Sequence, residues 1–228
     1  MMEEKKIFAS ITTTRGSDWR ARIKEINELG LKEIALFPTC LSPEERKEMY
    51  QLLEKSTIES VPLLHLRNDM PLEELDYFVK NYKTQVLCTH TQSEHPLIYD
   101  CSKYKNIISL ENVYHTFDEK ELKNFGGICL DLSHLENDGI LHKERFEDTI
   151  KILKKYPILC NHISAIKKFT FIDRAGEIRY DFHYLKDLSE LDYLKKYPLN
   201  YFSPFIAIEL ENSIKEQLKV KDYLMKLL

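Results

Sequence analysis

From the third strand-like run onward, every short apolar run in this chain ends on a residue that can bind a metal. SVPLLH ends on His65, TQVLCTH on His90, IISLE on Glu111, GICLD on Asp131, ILCNH on His162 and FIAIE on Glu209. Helical stretches of fairly regular length separate these runs, which implies one repeated strand–helix unit. In a parallel barrel the carboxyl ends of the strands meet in a ring on one face, so six scattered polar residues would line a single pocket. Eight units of roughly 25 to 30 residues would use the whole chain of 228 residues. The expected fold is therefore α/β, a (β/α)8 barrel occupying 1–228 as a single domain.

The other runs fill out that repeat. KIFASI reads as strand one, and DWRARIKEINELG as a helix capped by Asp18 or Ser17 and stopped at Gly30. EIALF is strand two. SPEERKEMYQLLEKS is a helix in which Ser42 caps, Pro43 takes the first helical position and Glu45 closes a capping box. PLEELDYFVKNY follows strand three, an irregular PLIYDCSKY follows strand four, and DEKELKNF follows strand five. KERFEDTIKILKKY comes after strand six, and SIKEQLKVKDYLMKLL after strand eight. The link between strands seven and eight is much longer. KFTFID and EIRYDFH alternate in polarity around Arg174-Ala175-Gly176 and read as a hairpin that presents Asp181 and His183 to the pocket.

Composition narrows the partners. No apolar run approaches the roughly 20 residues of a membrane span, and MMEEKK leads straight into a strand without a secretory signal. The five cysteines are odd in number and form no CxxC pair, so free thiols in a reducing cytoplasm are expected. A formal charge of −4 with interspersed signs gives no broad basic footprint for nucleic acid, although a local patch remains compatible with it. Neither GxGxxG nor a Walker pattern occurs, so a nucleotide cofactor has no support.

The strand-end residues carry the chemistry. Glu111, Asp131 and Glu209 would all point into one mouth, where mutual repulsion is tolerable mainly if a cation sits between them. His65, His90 and His162 could share that cation, and such a nitrogen and oxygen set suits zinc, manganese or iron better than calcium. Asp131-Leu132-Ser133-His134 adds His134 if the turn leaving the strand brings it back. Asp181-Phe182-His183 places two donors on one face of a strand. Cys88, Cys129 and Cys160 each precede a proposed ligand by two residues, as Leu63, Ser109 and Ala207 do, and read as small interior filler.

IISLEN (107–112), GICLDLSH (127–134), HISAIK (162–167), DFH (181–183) and IAIELEN (206–212) resemble the xylose isomerase-like TIM barrels, and within them the endonuclease IV group of apurinic-site nucleases. That resemblance implies up to three zinc ions held by His65, His90, Glu111, Asp131, His134, His162, Asp181, His183 and Glu209. Glu211 is an alternative to the last. The chain departs from those nucleases in being shorter. His65-Leu66-Arg67-Asn68 lacks their DNA-invading residues, and His90-Thr91-Gln92 replaces their His-Pro-Gly. The wider superfamily includes sugar isomerases and epimerases, which hold one divalent ion with Glu, Asp, His and Glu. Glu111, Asp131, His162 and Glu209 match that set, with manganese or magnesium as well as zinc in view. The two glutamates would then move a proton beside a carbonyl, while His134 and a basic residue such as Lys167 or Lys168 hold the sugar. The expectation is a metal-dependent hydrolase of a small phosphoester in which Glu111, Glu209 and His134 carry catalysis. Arg67, Lys167 and Lys168 would contact the substrate, and a sugar or sugar-phosphate isomerase is the alternative.

Overall fold

The computed structural model describes residues 4–173 and 175–228. Its strands are β1 (Lys6–Phe8), β2 (Ser10–Thr12), β3 (Glu33–Phe37), β4 (Ser60–His65), β5 (Val86–His90) and β6 (Ile108–Glu111). They continue with β7 (Gly127–Asp131), β8 (Ile158–Ile163), β9 (Ala165–Ile172), β10 (Ile178–Phe182) and β11 (Phe205–Ile208). All but β9 and β10 form one parallel sheet of nine strands in the order β1-β11-β8-β7-β6-β5-β4-β3-β2. Its two edge strands, β1 and β2, are consecutive in the chain with Ala9 between them. One pairs with β11 and the other with β3, and the Ala35 amide donates to the Ala9 carbonyl at 2.9 Å. The sheet thus curls into a nearly closed barrel, compatible with a TIM-like barrel.

Helices cover the outside: α1 (Trp19–Leu29), α2 (Pro43–Glu54), α3 (Leu72–Asn81), α4 (Glu119–Leu122), α5 (Leu132–Leu141), α6 (Lys143–Leu153) and α7 (Ile214–Leu227). Their ends follow from local chemistry. Asp18 accepts the Ala21 amide at the start of α1, and Gly30 ends it in the left-handed region at φ +66°, where a Cβ would be strained. Ser42 with Glu45, and Ser213 with Glu216, form reciprocal capping boxes on α2 and α7. No helix among the described residues is long and apolar enough to cross a membrane.

Alternation along the strands sorts the core into two layers. Leu36, Leu64, Leu87 and Ile108 pack outward with α-helical residues such as Ile26, Met49 and Phe78. Phe8, Ala35, Phe37, Leu63, Cys88, Cys129, Cys160 and Ala207 form a separate cluster on the opposite, interior face. The six strand-end ligands stand two residues beyond interior positions, so the same face carries them to the carboxyl-terminal mouth.

Two differences from the expected elements have physical causes. The long connection after strand seven is an antiparallel hairpin of β9 and β10 as expected, although Arg174 in its expected turn lies outside the described residues. Two 3-10 helices, Leu188–Lys196 and Leu199–Tyr201, then lead to β11. More important, a helix, α5, starts directly at Asp131. Asn137-Asp138-Gly139 looks like a turn in sequence, but Asn137 accepts the Tyr180 amide at 2.8 Å and Asp138 is bound by Arg145, so these turn formers are satisfied from other elements.

At the amino ends of β6 and β7 the backbones nearly touch. A Cβ on Gly126 would lie 2.1 Å from the Asn106 carbonyl oxygen, a backbone atom that cannot swing away. Gly126→Ala is expected to destabilise the fold by about 1–3 kcal/mol or more through this overpacking, read as a lower urea midpoint. An unchanged midpoint would contradict the close approach.

Candidate metal centre

Glu111 is the hub of the mouth. It ends β6 with 2% exposure, and its two oxygens look in different directions. Oε2 lies 2.8 Å from His65 Nε2 and 3.6 Å from His90 Nε2. Oε1 lies 3.1 Å from His162 Nδ1 and 3.6 Å from His134 Nδ1. The result is two ligand groups that share one carboxylate. The donor atoms of His65, His90 and Glu111 all lie within 4.8 Å of one another, and so do those of Glu111, Asp131, His162 and Glu209.

Register explains why Glu111 is central. His90 on β5 is level with Glu111, but Glu111 is level with Cys129 rather than Asp131, which in turn is level with His162. The strands climb relative to one another, as barrel closure requires. Glu111 therefore sits lower in the mouth than Asp131, within reach of rings from both sides.

The donor set fits a cation. Asp131 Oδ2 and Glu209 Oε2 are buried and have no hydrogen-bond partner among the described residues. Glu209 Oε2 lies 3.3 Å from His162 Nδ1, but without the alignment of a hydrogen bond. Orphaned carboxylate oxygens in a dry interior are costly. The His65 ring makes the same demand. Its Nδ1 lies 2.8 Å from the Leu66 carbonyl, an acceptor only, so the ring proton belongs there. Nε2 then aims a lone pair at an anionic oxygen, an arrangement that calls for a proton or a metal ion.

The titration behaviour agrees. Burial pushes the Glu209 carboxyl well above the ordinary value, with Glu111 and Asp131 adding to the effect against the pull of His162. Burial acts on Glu111 in the same direction but is outweighed by His162 and His65, which hold it well below. His90 is pushed down to about 3, first by burial and then by His65 and His95, despite Glu111. It therefore stays neutral at pH 7, as a metal ligand must be. The site concentrates acid that only a cation or a captured proton can balance.

His134 reaches the mouth through α5. Asp131 is the N-cap of that helix, and its Oδ1 accepts the His134 amide at 2.8 Å and the Ser133 hydroxyl at 2.6 Å. One helical turn therefore returns His134 to the strand end, where its Nδ1 bonds the Asn112 carbonyl at 2.8 Å. The ring proton is fixed there, and Nε2 faces Asp181 Oδ2 at 3.5 Å.

Asp181 and His183 also arrive, but not on equal terms. Arg179, two residues earlier on the same face of β10, grips Asp181 through both oxygens at 2.7 and 2.9 Å. Burial works against ionisation of Asp181, yet His134 and Arg179 outweigh it and keep the carboxyl below its ordinary value. His183 Nε2 lies 3.8 Å from Glu209 Oε1. Among the described residues no compact metal-ligating group includes His134, Asp181 or His183. Arg179 was not singled out from sequence. Its signal was the period-two spacing to Asp181. Its Nη1 is buried and has no partner among the described residues.

Glu209 and Glu211 separate cleanly. Glu209 joins the inner group, whereas Glu211 accepts the Thr14 hydroxyl at 2.7 Å. Arg67 lines a cavity of about 90 Å³ with His65, His90, His95 and Thr39. It is held there by Asp69 at 2.9 Å and the Thr39 carbonyl at 2.9 Å. The fully buried Arg46 braces Asp69 from behind at 3.0 Å. Lys167 is buried on β9 and bonded to Glu190 at 2.7 Å, so its ammonium already has a partner, while Lys168 is exposed.

No family model matches this chain, and no curated protein matches it. Geometry therefore carries the functional reading.

The shared carboxylate gives a direct test by elemental analysis of protein loaded with zinc and desalted. The two groups that share Glu111 predict up to two ions at the mouth. His90→Ala should lose one, because only one group uses it, and Glu111→Ala should lose both. Wild-type metal content in Glu111→Ala would show that the two groups do not act as ligand sets.

Proposed function

We propose that this chain is a single-domain (β/α)8 enzyme that hydrolyses a small phosphoester at a zinc centre that two ligand groups with Glu111 in common would hold. The observation that carries the reading is Glu111, whose two oxygens face separate groups of ligands. A lone-ion isomerase has no evident use for His65 and His90. The likeness to the endonuclease IV group accords with this reading. The formal charge of −4 and the cavity of about 90 Å³ favour a small substrate over nucleic acid.

In this reading His65, His90 and Glu111 hold one ion, and Glu111, Asp131, His162 and Glu209 hold another. Such ions supply Lewis-acid polarisation of the phosphoryl group and a more acidic water. The protein supplies the rest. Asp131 and Asp181 raise His134 above its ordinary value against the effect of burial. With Nδ1–H donated to Asn112, protonated Nε2 is the hydrogen available to a departing alkoxide. Arg179 Nη1 is the donor left over for a phosphoryl oxygen. Because Arg179 occupies both oxygens of Asp181, we assign two ions to the mouth rather than the three that the resemblance implied.

The second reading is a sugar or sugar-phosphate isomerase with one ion on Glu111, Asp131, His162 and Glu209. What favours it is Glu209, a buried carboxylate at the mouth with one oxygen free of any hydrogen-bond partner among the described residues and so placed to carry a proton between two carbons.

Hydrolysis of an aryl phosphodiester by zinc-loaded protein separates the two. His90→Ala should cut turnover by about a hundredfold or more, since it removes one ion's charge stabilisation, worth several kcal/mol. His134→Gln should cost about ten- to a hundredfold and flatten the alkaline limb of the pH profile, where a general acid loses its proton. Absence of hydrolysis, with aldose–ketose interconversion that survives His90→Ala, would establish the isomerase instead.

A further inference from the structure

Directly beneath the mouth the barrel interior holds three sulfurs. Cys88 on β5, Cys129 on β7 and Cys160 on β8 are each fully buried, and each lies two residues before a mouth ligand. Their Sγ atoms and a nitrogen of His162 all lie within 4.8 Å of one another. Cys88 Sγ is 3.2 Å and Cys129 Sγ 3.3 Å from His162 Nε2, and the Ser109 hydroxyl lies 3.4 Å from Cys160 Sγ. Sequence alone reads them as filler, and filler has no reason to gather around a ring nitrogen. The register does gather them: Cys129 is paired with Cys160, and Cys88 with Ser109.

We propose that Cys88, Cys129, Cys160 and His162 Nε2 form a second, chemically distinct metal site that takes a thiophilic divalent ion of the zinc class. Zinc–sulfur distances of about 2.3 Å around a tetrahedral ion place the sulfurs about 3.7 Å apart, inside the observed envelope of 4.8 Å. Three sulfurs and one imidazole make a closed set with no open position, the pattern of structural zinc. Phe37 packs edge-on against the His162 ring at 4.8 Å and 71°, which closes the site to water. Binding replaces three S–H protons, which leave to solvent, so affinity rises with pH. It also fixes the tautomer of His162: with Nε2 on the ion, the proton sits on Nδ1 and is donated to Glu111 Oε1 at 3.1 Å.

The proposal shares His162 with the phosphoesterase reading but can be tested apart from it, because thiolate coordination has its own optical signature. Reduced, chelator-treated protein is titrated with cadmium, and sulfur-to-cadmium charge transfer is followed in the ultraviolet. A band that saturates at one ion per chain is expected in the wild type, in Cys40→Ser/Cys101→Ser, and in Asp131→Asn, which disables the upper group. Cys88→Ala or Cys129→Ala should lower the band by about a third or more, one of its three thiolates being gone, and zinc should bleach it by competition. Folded wild-type protein with no band would overturn the proposal, and that reading needs no variant to fold. A band that survives Cys88→Ala and Cys129→Ala but disappears in Cys40→Ser/Cys101→Ser would overturn it as well.

Discussion

A carboxylate with both oxygens engaged in a dry interior is the constraint around which this molecule is arranged. Glu111 is 2% exposed, and its nearest partners are imidazole nitrogens from three other strands. Burying such a group without compensation would cost several kcal/mol. The strands that compensate it must therefore keep their order and register, since a shift of one residue would turn His65 or His162 out toward the helices. The site and the barrel are in this sense one construction. The parallel order brings the ligands to one end, and the ligands penalise any other register.

The climb of each strand relative to the next gives that construction depth. Had all six ligands stood at one height, Glu111 would meet only its two neighbours. Because it is level with Cys129, it reaches His162 two strands away as well as His65 and His90. Beneath it the same face continues as Cys88, Cys129 and Cys160, and further round as Leu63 and Ala207. Polarity falls from the carboxylates through the sulfurs to the alkyl groups.

The parts legible in the sequence were those governed by period two and by terminal punctuation. The strand ends at His65, His90, Glu111 and Asp131, the caps at Asp18 and Ser42, and the β9–β10 hairpin all announce themselves locally. What failed to show was set by partners far away in the chain. The helix α5 hides behind Asn137-Asp138-Gly139, because the bonds that satisfy those residues come from Tyr180 and Arg145. Its start is hidden too, since Asp131 serves at once as strand end, helix cap and candidate ligand. Asp181 reads as a ligand in sequence, and only the folded hairpin reveals that Arg179 already holds it. The gathering of the cysteines depends on inter-strand register, which no single segment encodes.

His162 joins the two layers, and its chemistry limits what they can do together. The ring is fully buried, with Nδ1 toward Glu111 and Glu209 and Nε2 toward the thiols. Burial opposes its protonation, but Cys88 and Glu111 outweigh burial and hold its pKa well above the ordinary value. A neutral imidazole has one lone pair and one proton, so it can serve one ion as a ligand and must offer a hydrogen bond on the other side. If Nδ1 ligates above, Nε2–H is donated to a thiolate and raises the basicity of the ring, the usual second-layer support for a metal-binding histidine. If Nε2 ligates below, the upper group keeps Glu111, Asp131 and Glu209 but loses its nitrogen, and the remaining oxygen set suits magnesium or manganese better than zinc. A soft ion in the lower layer would therefore alter the metal preference of the upper one without touching substrate, through the position of one proton on one ring.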